Sequence, residues 1–208
     1  MDFARVLSSE QELRELMGEP VSRSVVDKSL SALDRHCRVF ISRSPFVLIS
    51  SSDAGGRSDI SPKGDPPGFV RVVDDHTLAI PERPGNRRLD TMRNILQNPH
   101  VGLIFLIPGK RETLRVSGTA RLVQDGELAA TLCVAGKSPD LCIVIDVEEA
   151  FFHCAKCIVR SKLWSPENWP PVDDLPSLAQ TMIDAAGIDA PEEVVQRSID
   201  KDERERLY

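Results

Sequence analysis

Alternation of apolar and polar residues is the main pattern in the middle of the chain, from about residue 44 to residue 147. It is clearest in ETLRVSGTARLV (112–123), where apolar side chains fall on one side and polar ones on the other. A period of two is typical of a half-buried β-strand. The same reasoning predicts strands at 46–51, 69–73, 77–81, 101–107 and 141–147. The uninterrupted apolar run VGLIFLI (101–107) predicts a strand buried on both faces.

Turn residues and a helical period complete the predicted elements. Asp74-Asp75-His76 between two strands predicts a hairpin, and DAGG (53–56) predicts a turn. Ser9 followed by Glu12 is a capping box that predicts a helix to about Met17. Apolar residues spaced three or four apart predict further helices. These helices are expected at 25–40, 89–97, 126–134, 177–186 and 191–206. The stretch 149–160 fits either a helix or a strand, and we favour a helix.

The predicted elements fit one domain in three parts. Residues 1–43 are expected to be helical, residues 44–147 to form the β core, and residues 148–208 to form a C-terminal helical extension. Five or six antiparallel strands favour a small closed barrel, because closure removes exposed strand edges. A chain of 208 residues is long enough to bury one sizeable core.

Composition excludes some classes of function. The net charge of −6 makes a broad nucleic-acid-binding surface unfavourable. No apolar run approaches the roughly 20 residues of a membrane span. The acidic, amphipathic start MDFARVLSSEQELRELM does not resemble a signal peptide. We therefore expect a cytoplasmic protein without a membrane or nucleic-acid partner.

The five cysteines are expected to be reduced and mostly buried. They are Cys37, Cys133, Cys142, Cys154 and Cys157. Cys154 and Cys157 form a single CxxC, and a zinc site needs two more ligands at suitable spacing. The sequence offers no such second pair, so no metal site is predicted, and a metal or redox role for the pair stays a minor alternative.

The loop after strand 77–81 carries the most distinctive chemistry. It places Asn86, Arg87 and Arg88 between a strand and the predicted helix 89–97. Two guanidinium groups at such a junction favour a bound phosphate. In the alternative interpretation, the two arginines pair with Asp90 and Glu82 on a solvated loop. Lys63 likewise either contacts a ligand or pairs with Asp65 across a turn.

Several longer segments resemble one protein family. SPKGDPPGF (61–69), IPERPGNRRLD (80–90) and RSKLW (160–164) are similar to segments of the flavin-binding split-barrel proteins related to pyridoxamine 5′-phosphate oxidase. The resemblance covers nearly the whole chain. It implies an α+β, mainly β fold: an antiparallel Greek-key split β-barrel with N- and C-terminal helices. It also implies a homodimer, with FMN in a groove between the protomers.

The same resemblance implies which residues bind FMN. Arg87 and Arg88 match the basic pair that holds the phosphate, and Pro81 ends the strand beneath the flavin. GDPPG within the first segment resembles an insertion, so the register there is open to a shift of several residues. The implied cofactor-binding residues are Ser61, Pro62, Lys63, Val70, Arg71, Ile80, Pro81, Asn86, Arg87, Arg88 and Thr113.

The C-terminal part departs from the family pattern. Pyridoxamine phosphate oxidases carry an Arg/His-containing C-terminal segment for the substrate phosphate, and this chain continues instead as RSKLWSPENWPPVDD. His153, Lys156 and Arg160 are candidates for that side of the groove, and Trp164 for a flavin-stacking or dimer-interface role. The resemblance thus implies an FMN-dependent oxidoreductase acting on a small molecule, with no catalytic residue assigned. The alternatives are a non-catalytic flavin-, deazaflavin- or haem-binding protein and a partner-binding module.

Overall fold

Seven antiparallel strands form one sheet in a computed structural model that describes residues 4–208. The first three residues, which belong to the expected N-terminal helical part, lie outside the described residues. Along the sheet the strands follow the order β2-β1-β5-β6-β7-β4-β3. The strands are β1 Phe46–Ser52, β2 Ser58–Gly64, β3 Arg71–Val72, β4 Thr77–Pro81, β5 His100–Leu106, β6 Thr113–Val123 and β7 Cys142–His153.

The sheet is a split β-barrel, as the resemblance implies. Strands β2 and β3 are its two edges, and within residues 4–208 no ladder joins them. The expectation of a closed barrel is therefore wrong. The expectation of five or six strands is also wrong, because β2 (SDISPKG) has no buried residue and so lacks a hydrophobic pattern. Pro62 is tolerated there because β2 is an edge strand.

Eight α-helices surround the sheet within the described residues. They are α1 Glu10–Met17, α2 Arg23–Asp27, α3 Arg35–Ile41, α4 Asp90–Ile95, α5 Gly126–Thr131, α6 Lys156–Ser161, α7 Leu178–Ala186 and α8 Glu192–Glu205. The Ser9 hydroxyl accepts from the Glu12 backbone N–H at 3.2 Å and begins α1, as the capping box predicts. The Glu12 carboxylate, however, accepts from the N–H of Ser8 rather than that of Ser9.

The single helix expected at 25–40 is wrong. Leu30 exchanges two backbone hydrogen bonds with Ala150 of β7, at 2.9 and 2.8 Å, so it cannot continue a helix. Asp34 then begins α3, since its carboxylate accepts the backbone N–H of Cys37 at 2.8 Å. Contact with the sheet and a capping residue together divide the apolar pattern into α2 and α3.

The prediction of a helix at 149–160 is also wrong for the first half of that stretch. Strand β7 continues to His153, which lies opposite Thr113 of β6, and α6 starts only at Lys156. Phe151 and Phe152 extend the ladder, in keeping with the preference of aromatic residues for strands. The β6–β7 pairing is the longest in the sheet.

The core fills the inside of the curved sheet. Val47 and Ile49 of β1 are fully buried there, as are Ile143 and Ile145 of β7. The expectation that 101–107 is buried on both faces is wrong, because Val101, Leu103 and Phe105 are buried while Ile104 is 37% exposed. The outer face of the sheet is therefore partly apolar and uncovered in a single chain.

Candidate functional site

Two ion pairs join β2 to the segment after β4, across the split in the barrel. Lys63 Nζ lies 2.5 Å from Glu82 Oε2, and Arg83 Nε lies 2.7 Å from Asp65 Oδ2. All four side chains are largely buried, and that of Asp65 is only 1% exposed. Buried charges require partners of this kind, because an unpaired buried charge is strongly destabilising. The pairs hold two segments together that no ladder connects.

A cavity of about 410 Å³, here called the cofactor cavity, lies between β2 and residues 81–92. Its apolar lining residues include Ile60, Pro62, Phe69 and Met92. Its polar lining residues are Ser61, Lys63, Glu82, Arg83, Asn86, Arg88 and Asp90. The volume is within the range of about 300–1,000 Å³ that is usual for small-molecule sites. A lining that is both apolar and charged suits a ligand that carries a ring system and a charged group.

Six of the eleven predicted cofactor-binding residues line this cavity. They are Ser61, Pro62, Lys63, Pro81, Asn86 and Arg88. Arg87 instead lines an adjoining cavity of about 530 Å³, here called the side cavity. The remaining four do not line the cofactor cavity as the structure describes it. Val70 and Ile80 are core residues, Arg71 is exposed on β3, and Thr113 is buried at the start of β6.

Arg88 is exposed and paired with its neighbour. Its Nε lies 2.7 Å from Asp90 Oδ2, and 73% of its side chain is accessible. The hydrogen bond to Asp90 raises the pKa of Arg88 above its already high value, so it is a permanent cation. This pair matches the solvated-loop interpretation for Arg88, while Glu82 pairs with Lys63 instead. The proposed Lys63–Asp65 pair is wrong, since each residue has a different partner.

The loop of residues 82–89, here called the basic loop, has an unusual backbone conformation. Arg87 and Leu89 have φ of 59° and 60°, in the left-handed region that non-glycine residues rarely adopt. The Asn86 carboxamide oxygen accepts the backbone N–H of Arg88 at 3.0 Å and stabilises the turn. Strained backbone of this kind is frequent at ligand-binding positions. Within residues 4–208 no carboxylate pairs with Arg87.

Arg83 lines the cofactor cavity and was not among the predicted site residues. Besides Asp65, its Nη2 donates to the Leu132 carbonyl at 2.8 Å, and its guanidinium lies 5.6 Å from the centroid of the Tyr208 ring. Its partners are 18, 49 and 125 residues away in sequence. Local sequence could not reveal these contacts, and the only signal was the arginine within IPERPG (80–85).

A third cavity, of about 360 Å³, lies on the other side of Arg88. Arg57 and Arg93 line it together with Arg88, Asp59 and Asp90. Arg88, Asp59 and Asp90 line both cavities, whereas Arg57 and Arg93 line the third cavity and not the cofactor cavity. Arg57 and Arg93 were not predicted, because one lies in the β1–β2 turn and the other on α4.

The C-terminal candidates lie away from these cavities. His153 ends β7, and Lys156 and Arg160 are on α6. Trp164 Nε1 donates to the Lys110 carbonyl at 2.8 Å. Of the cavity-lining residues that the structure describes, none is His153, Lys156, Arg160 or Trp164.

The cysteines are free thiols, and the expectation that most are buried is wrong. Cys37 and Cys142 are buried, whereas Cys133, Cys154 and Cys157 are exposed. Within residues 4–208 no group of three His, Cys, Asp or Glu side chains is placed to hold a metal ion. In the same part of the chain, no helix has both the length and the hydrophobicity to cross a bilayer.

Fold and cavity together define a split-barrel protein with a cavity beside the split. The family model described as Pyridoxamine 5′-phosphate oxidase matches residues 33–154. The chain therefore belongs to the pyridoxamine 5′-phosphate oxidase family. Comparison with curated proteins gave no match.

Solved structures with a similar chain path include three bacterial proteins. HupZ from Group A Streptococcus is 22% identical with a TM-score of 0.47, over 57% of this chain and 92% of that one. An FMN-binding protein from Syntrophomonas wolfei is 15% identical with a TM-score of 0.45, over 68% and 92%. HutZ, the heme storage protein of Vibrio cholerae, is 15% identical with a TM-score of 0.39, over 59% and 94%. At such identities the similarity does not indicate what this chain binds.

Proposed function

We propose that this protein binds FMN in the cofactor cavity and acts as an oxidoreductase on a small molecule. The observation that carries the proposal is the cavity itself. The fold brings Lys63 from β2 and Asn86 and Arg88 from the basic loop to one cavity, where family membership leads one to expect the flavin. The apolar lining residues suit the ring system, and the basic loop suits the phosphate.

The phosphate is expected at Arg88, at the junction of the cofactor cavity with the third cavity. The Arg88–Asp90 pair is exposed, so it contributes little and its guanidinium is available to a stronger anion. A phosphate near −2 is such an anion, and a guanidinium can bind two of its oxygens at once. Arg57 and Arg93 line the adjoining third cavity, which contains as many aspartates as arginines.

The walls of the cavity are held by different residues from those that hold the phosphate. Lys63–Glu82 and Arg83–Asp65 are largely buried pairs, so they keep β2 at a fixed distance from residues 82–86. Lys63 also lines the cavity, with its ammonium group bound to Glu82. Segments held at a fixed distance suit a preorganised cofactor site.

Bound FMN would supply the hydride-transfer chemistry, and the protein would bind, orient and shield it. The described lining of the cofactor cavity therefore needs no acid–base triad. It contains neither His nor Cys, which are common protein ligands of haem iron. This donor set favours a flavin over haem, which was one of the alternatives.

A second copy of the chain is proposed to cover the outer face of the sheet. Phe46, Ile60 and Ile104 are 38%, 67% and 37% exposed on β1, β2 and β5. A shallow cavity of about 170 Å³ on this face is also lined by Arg115 and Glu149. A face that carries apolar residues and both charges can be complementary to itself about a two-fold axis. The homodimer is thus supported by a surface as well as by the resemblance.

Titration of cofactor-free protein with FMN tests the cofactor proposal. Flavin fluorescence should change on binding, and Arg88→Ala should weaken the affinity about ten- to a hundredfold through loss of charge-assisted bonds to phosphate. Arg23→Ala is the matched control, because Arg23 is also exposed and pairs with a nearby aspartate, Asp27. Equal affinity of the Arg88→Ala variant and wild type would contradict the proposed phosphate position.

A further inference from the structure

Tyr208, which follows α8, contacts three distant parts of the chain beside the cofactor cavity. Its phenol donates to Asp65 Oδ1 at 2.7 Å, and its ring lies 5.6 Å from the Arg83 guanidinium. Its carbonyl oxygen accepts from Lys137 Nζ at 2.6 Å. Together with Arg206 it lines the side cavity, which shares Glu82, Arg83 and Asn86 with the cofactor cavity. The phenol and the carbonyl oxygen of Tyr208 are thus both hydrogen-bonded.

Tyr208 completes the hydrogen bonding of the buried Asp65 carboxylate. One oxygen of Asp65 accepts from Arg83 and the other from Tyr208, while its side chain is 1% exposed. A buried carboxylate oxygen that loses its donor is destabilised, because no water replaces the bond. The position of Asp65, and with it that of Arg83, therefore depends on Tyr208.

Asp65 and Arg83 are one of the two pairs that span the barrel split. Within the described residues no ladder joins β2 to β4, so these side chains set the distance between the two walls of the cofactor cavity. Two backbone hydrogen bonds report on these walls. They are Asp65 N–H to the Pro45 carbonyl at 3.1 Å and Glu82 N–H to the Leu141 carbonyl at 2.9 Å.

We propose that Tyr208 is a positioning residue of the cofactor cavity, which holds the Asp65–Arg83 pair and so fixes the distance between β2 and residues 82–86. The proposal rests on the proposed function only in naming FMN as the ligand of the cavity; the positioning of the walls is independent of it.

Tyr208 provides its own spectroscopic signature, because it is the single tyrosine of the chain. The hydrogen bond to Asp65 raises the pKa of Tyr208 above its ordinary value of 10.0, with further contributions from burial and from the Asp65 charge, while Arg83 lowers it. Lys137 donates to its carbonyl oxygen, and the other charged residues that line the side cavity with it are Glu82, Arg87, Asp140 and Arg206. Ultraviolet titration should show tyrosinate forming at higher pH in the folded protein than in the protein unfolded by urea. Identical titration curves would show that the phenol is not bound to Asp65 and would overturn the proposal.

Hydrogen exchange tests the positioning itself, in protein without cofactor. Tyr208→Ala should speed exchange of the Asp65 and Glu82 amides at least about fivefold, as loss of a hydrogen bond to a charged group implies. Tyr208→Phe, which keeps the ring on Arg83, should have an intermediate effect. Leu207→Ala is the matched control, because Leu207 is 63% exposed. Unchanged exchange, or equal acceleration throughout the β5–β6 ladder, would overturn the proposal, since the second result marks a general loss of stability.

FMN affinity separates this proposal from the proposed function. If wild type binds FMN, Tyr208→Ala should weaken binding at least about fivefold and Leu207→Ala should not. Wild-type affinity in Tyr208→Ala would overturn the positioning role. Should wild type take up no FMN, the proposed function fails, and the exchange rates alone decide the role of Tyr208.

Discussion

Two arginines in one loop have opposite surroundings. The Arg83 side chain is 14% exposed and contacts Asp65, Leu132 and Tyr208. The Arg88 side chain is 73% exposed and contacts a single exposed aspartate. A buried, fully bonded guanidinium is fixed in place, whereas an exposed one can exchange its partner for a ligand. We therefore assign Arg83 to the wall and Arg88 to the phosphate.

Thiol reactivity should divide the five cysteines into two classes. Burial raises the pKa of the Cys37 thiol to about 12, and the Asp34 carboxylate adds to the shift. Burial also raises the pKa of Cys142. Because the thiolate is the reactive form, both should resist alkylation in the folded protein. Mass spectrometry after treatment with iodoacetamide should show modification at the exposed Cys133, Cys154 and Cys157 alone.

Denaturation provides the control for this prediction. All five cysteines should then react, because the burial that suppresses Cys37 and Cys142 is lost. Rapid modification of Cys37 in the folded protein would contradict the packing of α3 against the sheet.

Among the elements, α3 depends on one capping residue. The backbone N–H of Cys37 donates to the Asp34 carboxylate and lowers the pKa of that carboxyl below its ordinary 3.8. Asp34→Ala should cost about 1 kcal/mol of unfolding free energy at neutral pH, as is typical of a lost N-cap. Urea denaturation followed by circular dichroism measures this difference.

The pH dependence of this contribution has a definite sign. A carboxyl whose pKa is lower in the folded state stabilises the protein above the unfolded pKa, and that stabilisation is lost as pH falls through the folded value. The difference in unfolding free energy between wild type and Asp34→Ala should therefore become smaller below pH 3.8. Ser22→Ala is the control, because Ser22 occupies the N-cap of α2 without a capping bond. An equal difference in unfolding free energy at every pH would exclude the capping role of Asp34.

Sequence predicts those elements whose pattern agrees with their contacts. The β3–β4 hairpin, the alternation of β6, and helices α7 and α8 follow from local residues alone. The helix expected at 25–40 fails because Leu30 bonds to Ala150, and β7 runs past residue 147 because β6 offers it a partner. Long-range backbone pairing overrides local helical preference in both places.

The site shows the same division. Lys63, Asn86 and Arg88 line one cavity. They could be predicted because each belongs to a segment with a distinctive sequence. Ile80 points into the core instead, since neighbouring residues of β4 face opposite sides, and Val70 is buried just before β3. Arg83 and Tyr208 could not be predicted, because their bonds to Asp65 cross the split in the barrel.

For the whole molecule, the outer face of the sheet predicts a dimer. Light scattering at micromolar concentration should give twice the chain mass of 23.0 kDa. Ile104→Glu should produce monomers, because it places a charge in the centre of the apolar face. Val172→Glu is the matched control, since Val172 is an exposed apolar residue outside the sheet. A monomeric wild type, or a dimer unaffected by Ile104→Glu, would contradict the proposed interface.

The most direct test is the identity of whatever small molecule the purified protein carries. The protein would be denatured, and the released material analysed by absorption and mass spectrometry. We expect FMN, in an amount approaching one molecule per chain. Release of haem, or protein that carries nothing and takes up no added FMN, would contradict a flavin site between β2 and the basic loop.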